Sequence, residues 1–269
     1  MFAVQPLTVT IGAEVHGINL ASVSDDELDE LRKLWLDWKV LFFRDQHITQ
    51  AEHVAFGRRF GKLEIHPFAP QDAEHPEILR IISSAKHQYA ASNWHSDVTW
   101  REKPSYGSIL RGVRIPDVGG DTVFADSAAA YDRLEDEWKE RVDGLVAVHD
   151  YSATFGATVP ESKKEEMREK YPPARHPVIR THPDTGAKLI YTNTSFVDSI
   201  EGLSSDETTR VVKRLERAIM DPSVQCRFRW QEDSFAMWDN RAVQHYATND
   251  FWPETRVVER VTIEGDRPY

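Results

Sequence analysis

Cysteine is almost absent from this chain of 269 residues, with Cys226 as its single example. One cysteine cannot form an intramolecular disulfide or a thiolate metal site, which fits a reducing compartment. Basic residues are also few, because 33 Lys and Arg stand against 44 Asp and Glu and give a net charge of −11. This balance argues against a nucleic-acid partner, and a small anionic ligand would need a local cluster of arginines.

Long apolar runs are missing as well. No stretch approaches the roughly 18 apolar residues of a membrane span, and Met1–Val15 lacks the charged segment and apolar run of a signal peptide. We therefore expect a cytoplasmic protein that binds neither a membrane nor nucleic acid. No repeat or Gly/Ser linker divides the sequence, so residues 1–269 are predicted to form a single domain.

The hydrophobic pattern predicts many short strands and a few blocks of helix. Ser24 and Thr49 are expected N-caps of helices over 24–38 and 50–60. Two acidic segments that end at about Val142 are also predicted to be helical. Two more helices are predicted over 161–170 and 205–220. Strands are predicted over 2–10, 40–43, 78–82, 106–113, 122–124, 145–148, 178–180, 188–192, 226–230, 234–238 and 257–263, with a turn between Gly12 and Gly17. A mainly β fold with α insertions follows, in the form of a jelly-roll barrel.

The stretch Trp94–Trp100 places an imidazole and a carboxylate two residues apart in a β-prone setting. On an extended strand these residues share one face, so His95 and Asp97 can bind one ion. Far along the chain His245 supplies a second imidazole, predicted on a loop after a strand. Two His and one carboxylate on one side of an ion form the facial triad of non-haem Fe(II) oxygenases.

Two arginines near the end of the sequence suggest an anion site. Arg256 and Arg260 are four residues apart, which places both on one face of a strand. If this face lines the barrel mouth, Arg256 can bind a carboxylate through two charge-assisted hydrogen bonds, and Thr122 can donate to the same group. The alternative is that both arginines are exposed and Thr122 is a plain turn residue. Three other histidines are predicted to be structural: His149, His176 and His182.

Seven segments of the sequence follow one another in a recognisable order. They are Val40–Gln46, Asn93–Thr99, Gly119–Thr122, His176–Pro183, Trp238–Arg241, Gln244–Ala247 and Arg256–Arg260. In this order they resemble the taurine dioxygenase family of Fe(II)- and 2-oxoglutarate-dependent oxygenases, and the similarity runs from about Pro6 to Pro268. Seven segments in one order are far more specific than a single triad.

The resemblance implies a double-stranded β-helix, which is a cupin-like jelly roll flanked by helices. It implies Fe(II) bound by His95, Asp97 and His245, and the cosubstrate 2-oxoglutarate held by Thr122 and Arg256. It further implies that O2 is used to hydroxylate a small organic anion, with succinate and CO2 as co-products. A small residue in place of Asp97 would indicate a halogenase, so the carboxylate indicates hydroxylation.

The family's substrate-binding positions also have counterparts in this sequence. They are His66, Val98 and Arg260 for a sulfonate, with Phe155 and Phe196 as aromatic walls. The expected substrate is thus a sulfonate such as taurine, which would release sulfite. Ala69 stands where the taurine enzymes carry a tyrosine and Ala91 where they carry an asparagine, so selection for small, polar taurine is weakened. A larger sulfonate, an alkyl sulfate and an aryloxyalkanoate remain as alternative substrates.

Two other classes of protein are compatible with the triad. A zinc hydrolase would use the same three ligands but would give Arg256 no clear task. A non-catalytic barrel that binds a small anion would not need His95. The expected partners are the small anionic substrate and, in a homo-oligomeric dimer or tetramer, further copies of the chain. Residues 152–175 are predicted to form a lid.

Overall fold

The computed structural model describes residues 2–66, 74–85, 92–157 and 159–269. The strands in these ranges are β1 (Ala3–Pro6), β2 (Ala13–His16), β3 (Val40–Phe43), β4 (Leu79–Ser83), β5 (Gly107–Arg114), β6 (Thr122–Asp126), β7 (Val146–His149), β8 (Ala174–Pro177), β9 (Ile179–Thr181), β10 (Lys188–Ile190), β11 (Val197–Ile200), β12 (Gln225–Phe228), β13 (Phe235–Asp239), β14 (Val243–Ala247) and β15 (Arg256–Ile263). The α-helices are α1 (Asp25–Trp38), α2 (Gln50–Arg58), α3 (Ser127–Asp132), α4 (Asp136–Val142), α5 (Ser152–Phe155), α6 (Lys164–Lys170) and α7 (Ser205–Ile219).

Two sheets pack face to face to form the jelly-roll barrel. The larger sheet has seven strands in the order β1-β2-β3-β13-β5-β15-β4, and the smaller has three in the order β12-β6-β14. Aromatic rings join the two sheets, since Phe42 of β3 stacks on Phe228 of β12 at 4.2 Å and meets Phe124 of β6 edge-on at 5.6 Å. The predicted fold class is therefore confirmed.

The continuous apolar run of β3 is explained by burial on both faces of its strand. Val40 and Phe42 point into the barrel, whereas Leu41 and Phe43 point to the opposite face and join the cluster formed with α1 and α2. Alternation along the strand thus serves two cores at once. The larger sheet is covered by helices on its outer side, and its inner side is left to line the barrel.

Helix α7 covers a second outer region of the fold. Its buried residues are Thr208, Val211, Val212, Leu215 and Ile219, a spacing that gives one apolar stripe. Ser204 and Glu207 form a capping box at its start, as do Ser24 with Glu27 at α1. The predicted caps and helices are confirmed here because capping and periodicity are local signals. Every helix in the described ranges is too short or too polar to cross a lipid bilayer.

Short strands account for the errors of prediction. The strand expected over 2–10 ends at Pro6, and the residues between Gly12 and Gly17 form β2 where a turn was expected. Strands β8, β11 and β14 were not predicted. Each of these strands has four or five residues. Apart from the hairpin of β1 with β2, their partners lie far along the chain, such as β3 for β2. Local pattern carries little information about such strands.

One buried histidine outside the cavity makes stability depend on pH. His53 of α2 has no exposed surface, and its Nε2–H donates to the carbonyl oxygen of Ile109 at 3.1 Å. Burial lowers the pKa of His53 to about 3, from 6.5. The unfolded chain therefore takes up a proton at this residue below pH 6.5, whereas the folded protein does not until about pH 3. The folded state loses stability as pH falls through that window.

We predict that His53→Gln lowers the slope of the unfolding free energy against pH between about pH 6 and 4. One proton taken up on unfolding corresponds to about 1.4 kcal/mol per pH unit. Chemical denaturation at several pH values measures this slope. His53→Phe should lower the slope equally even if its stability differs. A slope equal to that of the unchanged protein in both variants would contradict the prediction.

Candidate active site

A cavity of about 290 Å³ opens between the two barrel sheets. This volume is close to the lower end of the roughly 300–1,000 Å³ that small-molecule sites occupy. Its wall includes every site residue predicted from the sequence: His66, His95, Asp97, Val98, Thr122, Phe155, Phe196, His245, Arg256 and Arg260. The fold therefore brings together residues that are up to 194 positions apart in the sequence, and the geometry of each group can be compared with its predicted role.

The two imidazoles and the carboxylate meet at one end of the cavity. His95 and His245 form an isolated β-bridge, and their rings lie 4.3 Å apart. Asp97 Oδ1 lies 4.0 Å from His95 Nε2 and 4.0 Å from His245 Nε2. The three ligand atoms all lie within 4.8 Å of one another. This donor set is that of the facial triad.

Two details of this geometry differ from the sequence prediction. His245 lies within β14 and not on a loop. His95 is extended, but the chain turns directly after it, so Asp97 lies in a turn and not on a continuing strand. Val98 has a φ of +49°, a left-handed conformation that is unusual for a β-branched residue. The turn, rather than strand alternation, brings Asp97 to the imidazoles.

Burial keeps both imidazoles neutral, which is the form that binds metal. It lowers the pKa of His245 to about 3, with His95 adding to the effect, and it also lowers the pKa of His95. His95 Nδ1–H donates to the carbonyl oxygen of Asn93 at 2.7 Å, which leaves the Nε2 lone pair for the cavity. The ring of His95 is therefore fixed in both tautomer and orientation.

Asp97 is held in its ionised form by its neighbours. Burial alone would raise the pKa of Asp97, but its polar neighbours, Arg260 first among them, outweigh burial and hold the pKa well below its usual value. Arg260 Nη1 donates to Oδ1 at 2.7 Å, and Ser108 Oγ donates to Oδ2 at 3.1 Å. An ionised carboxylate beside two neutral imidazoles fits a divalent metal ion, so the predicted metal site is chemically consistent with the structure.

Asn240 fixes the main chain of the turn that carries Asp97. Its Oδ1 accepts the Asp97 N–H at 2.6 Å, and its Nδ2 donates to the Asp97 carbonyl at 3.0 Å and to Ser105. This pair of bonds holds the turn that continues into the left-handed Val98. Asn240 and Ser108 were not predicted as site residues. The segment Trp238–Arg241 contains Asn240, but its partner lies 143 positions away, so no local pattern reveals the contact.

The other end of the cavity fits a carboxylate. Arg256 is 7 % exposed, and its Nε and Nη2 have no hydrogen-bond partner in the described part of the chain. Burial lowers its pKa to about 10, so the guanidinium stays charged at neutral pH. Thr122 Oγ1 accepts from the indole N–H of Trp230 at 2.9 Å. A buried cation with unused donors needs an anionic partner, and the keto acid's distal carboxylate would supply one.

An aromatic wall stands next to the triad. The rings of Phe155 and Phe196 stack at 6.1 Å, and Phe196 lies 6.4 Å from His95. Thr154 Oγ1 donates to the carbonyl of Ser195 at 2.8 Å, which ties α5 to the segment that carries Phe196. His66 lies 6.0 Å from Phe155, and burial lowers its pKa to about 3. Ala69 and Ala91, the two departures noted in the sequence, lie outside the described residues.

A jelly-roll barrel with two His and one carboxylate in its cavity, and with an arginine prepared for a second anion, defines a non-haem iron oxygenase that uses a keto acid. Comparison with known proteins then identifies the family. The model of the family described as "Taurine catabolism dioxygenase TauD, TfdA family" matches residues 3–262, and the chain belongs to this family. It is an Fe(II)- and 2-oxoglutarate-dependent dioxygenase that uses O2 and acts on a small organic substrate.

The names of the similar proteins point to different substrates. An alkylsulfatase of Acinetobacter baylyi is 36 % identical over 97 % of this chain and 84 % of its own length. An alpha-ketoglutarate-dependent sulfate ester dioxygenase of Pseudomonas putida is 34 % identical over 98 % of this chain and 90 % of its own length. The crystal structure of a taurine dioxygenase from Burkholderia xenovorans superposes with a TM-score of 0.84. It covers 99 % of this chain and 92 % of its own, at 35 % sequence identity. The predicted family and reaction class are thus confirmed, in preference to a zinc hydrolase or a non-catalytic barrel.

We predict that Asp97→Ala lowers the affinity for Mn(II), an inert substitute for Fe(II), by at least about tenfold. The reason is that the carboxylate is the one anionic ligand of the triad. Calorimetric titration of metal-free protein measures this affinity. Asp198→Ala, which removes an exposed carboxylate of β11, is the matched control and should bind Mn(II) normally. Unchanged affinity in Asp97→Ala would show that the metal is bound elsewhere.

A second prediction concerns Arg256. Arg256→Gln should weaken 2-oxoglutarate binding to the Mn(II)-loaded protein by at least about tenfold, because two charge-assisted hydrogen bonds are lost. Arg114→Gln, at the exposed end of β5, serves as the control. If Arg256→Gln bound 2-oxoglutarate as tightly as the control, the distal carboxylate would have to be bound by another residue.

Proposed function

We propose that this dioxygenase hydroxylates the carbon that carries the anionic group of an alkyl sulfate ester with an apolar tail. The observation that carries this proposal is the position of Arg260, a buried cation beside the triad and next to an aromatic wall. A sulfate or sulfonate group would bind Arg260, and the tail would contact Phe155 and Phe196. The neutral ring of His66 would donate a further hydrogen bond to the anion.

The roles of the other cavity residues follow from their contacts. We infer that His95, Asp97 and His245 bind Fe(II), and that Arg256 and Thr122 bind the distal carboxylate of 2-oxoglutarate. When bound together, iron, the keto acid and O2 give succinate, CO2 and one oxygen atom for the substrate carbon. Arg260 holds the substrate anion and thereby fixes which carbon faces the metal. Ser108 and Asn240 keep the carboxylate of Asp97 oriented towards the imidazoles.

Hydroxylation at this carbon leads directly to cleavage of the ester. The carbon would then carry both a hydroxyl group and the sulfate oxygen. The bond from carbon to the sulfate oxygen breaks, the hydroxyl proton leaves with the sulfate, and an aldehyde remains. The same step on a sulfonate would break the carbon–sulfur bond and release sulfite. Both substrates therefore satisfy the chemistry, and the cavity wall must decide between them.

The lining of the cavity favours an apolar tail over the ammonium group of taurine. Among the described residues that line the cavity, Asp97 is the one acidic side chain, and it is already paired with Arg260. An ammonium group would thus be buried without a carboxylate partner, which is costly. The alkylsulfatase and sulfate ester dioxygenase relatives, at 36 % and 34 % identity, support the same choice. A larger sulfonate or an aryloxyalkanoate is the second candidate, since either places an anion on Arg260.

Three further expectations stay predictions. They are the single domain over 1–269, the cytoplasmic location and the homo-oligomer. The lid over 152–175 is also a prediction, and Thr158 within it lies outside the described residues. In the described part of this segment, α5 carries Phe155 and α6 is highly charged, so a lid would bring an apolar residue to the cavity and leave a polar surface outside.

The test of the substrate is succinate release by iron-loaded protein with 2-oxoglutarate and O2. We expect kcat/KM for linear alkyl sulfates to rise by up to roughly fourfold per added methylene until the cavity is filled, because each buried methylene contributes about 0.8 kcal/mol. Taurine should stimulate turnover weakly. Stronger stimulation by taurine than by any alkyl sulfate would overturn the proposed substrate and keep the reaction class.

Arg260 and Arg256 should divide their tasks between the two anions. Arg260→Gln is expected to raise KM for the alkyl sulfate by at least about tenfold and to change the KM for 2-oxoglutarate less. Arg256→Gln should show the reverse pattern. Metal content is measured in both variants, since Arg260 also contacts Asp97. Equal losses for both compounds in one variant would contradict this division.

A further inference from the structure

Trp230 contacts both residues at the carboxylate end of the cavity. It follows β12 and is 3 % exposed, and its ring packs edge-on against Phe228 at 4.9 Å. Its indole N–H donates to Thr122 Oγ1 at 2.9 Å. The centre of the same ring lies 5.4 Å from the guanidinium carbon of Arg256. One side chain thus joins two residues that are 134 positions apart.

The hydrogen bond determines how Thr122 can use its hydroxyl group. A threonine hydroxyl rotates to donate to whichever acceptor is near. Here the oxygen already accepts from the indole, and its hydrogen finds no acceptor in the described part of the chain. Because Thr122 lies on the cavity wall, the hydrogen is available to an acceptor inside the cavity. The indole therefore turns Thr122 into a donor for a bound anion.

The face of the indole has a different effect on Arg256. A guanidinium within about 6 Å of a tryptophan ring is attracted by the negative face of the ring. The stem of Arg256 also lies close to Gly120, where an added Cβ would lie 3.2 Å from Arg256 Cδ. The cation is thus supported while its Nε and Nη2 stay unused. Because the indole face makes no hydrogen bond to the guanidinium, the two N–H donors remain available to a ligand.

We propose that Trp230 is a positioning residue for the distal carboxylate of 2-oxoglutarate. It acts through Thr122, whose hydroxyl it orients, and through Arg256, whose guanidinium it supports. This inference rests on the proposed assignment of Thr122 and Arg256 to 2-oxoglutarate. Trp230 itself lines no part of the cavity described above, so its effect on the ligand is indirect.

The test compares two keto acids that differ at one end. Both 2-oxoglutarate and 2-oxobutyrate carry the carboxylate and ketone that chelate a metal, but only 2-oxoglutarate carries the distal carboxylate. Calorimetric titration of the Mn(II)-loaded protein gives Kd for each. We expect Trp230→Phe to weaken 2-oxoglutarate by about five- to tenfold, as for one hydrogen bond, and to leave 2-oxobutyrate unchanged. Equal weakening of both would indicate a merely structural role and overturn the proposal.

A double-mutant cycle with Thr122→Val tests the route of the effect. In the Thr122→Val background no hydroxyl is left to orient, so Trp230→Phe should weaken 2-oxoglutarate by less than about twofold. Full additivity of the two changes would overturn the part of the proposal that runs through Thr122. Trp35→Phe is the control for shortening a buried tryptophan, because Trp35 is 1 % exposed and lies in the cluster with α1, away from the cavity.

A second variant covers the case in which Trp230→Phe does not fold. Replacement of Trp230 by benzothienylalanine keeps the two-ring shape and its π face but removes the N–H. The same selective weakening of 2-oxoglutarate is expected, and an unchanged Kd in this variant would overturn the hydrogen-bond role. The assignment of Thr122 and Arg256 to 2-oxoglutarate, on which the proposal rests, has a separate test. If neither Arg256→Gln nor Thr122→Val weakened 2-oxoglutarate, the carboxylate would be bound elsewhere, whatever Trp230 does.

Discussion

The buried ion pair between Asp97 and Arg260 is the interaction on which the rest of the site depends. Burial of either charge without the other would be costly, and removal of one partner of such a pair typically costs about 3–5 kcal/mol. The pair also sets what each group can do, because it keeps Asp97 ionised for a metal and keeps Arg260 next to the metal site. A substrate anion bound by Arg260, as proposed, would therefore be brought to the proposed metal site by the same contact that keeps Asp97 ionised.

The second arginine shows the opposite design. Arg256 has no carboxylate partner in the described residues, and its charge is supported by the face of Trp230. A cation paired with a resident carboxylate would have to exchange partners when a ligand arrives, whereas Arg256 needs no exchange. The cavity thus contains one arginine that shares its charge with the protein and one that is reserved for a ligand. Both lie on β15, four residues apart, as the sequence indicated.

The sequence was sufficient for the helices, the central strands and the residues of the cavity wall. Capping residues such as Ser24 and Thr49 are local signals, so they could be read directly from the sequence. The position of His245 was predicted wrongly as a loop, because the pairing of β14 with β6 is set by distant residues. Ser108, Asn240 and Trp230 were missed for the same physical reason: each is an ordinary buried polar or aromatic residue whose role exists only through a partner elsewhere in the chain.

The β-bridge between His95 and His245 has a consequence for how the protein folds. Its two residues are 150 positions apart. The bridge joins the first half of the chain to β14, an edge strand of the smaller sheet. Contacts with such a sequence separation carry a high loop-closure cost and form late. We therefore expect the three proposed metal ligands to come together only when the barrel has closed around them. On this expectation a partly folded chain would lack the complete set of proposed ligands, and metal binding would report the completion of folding.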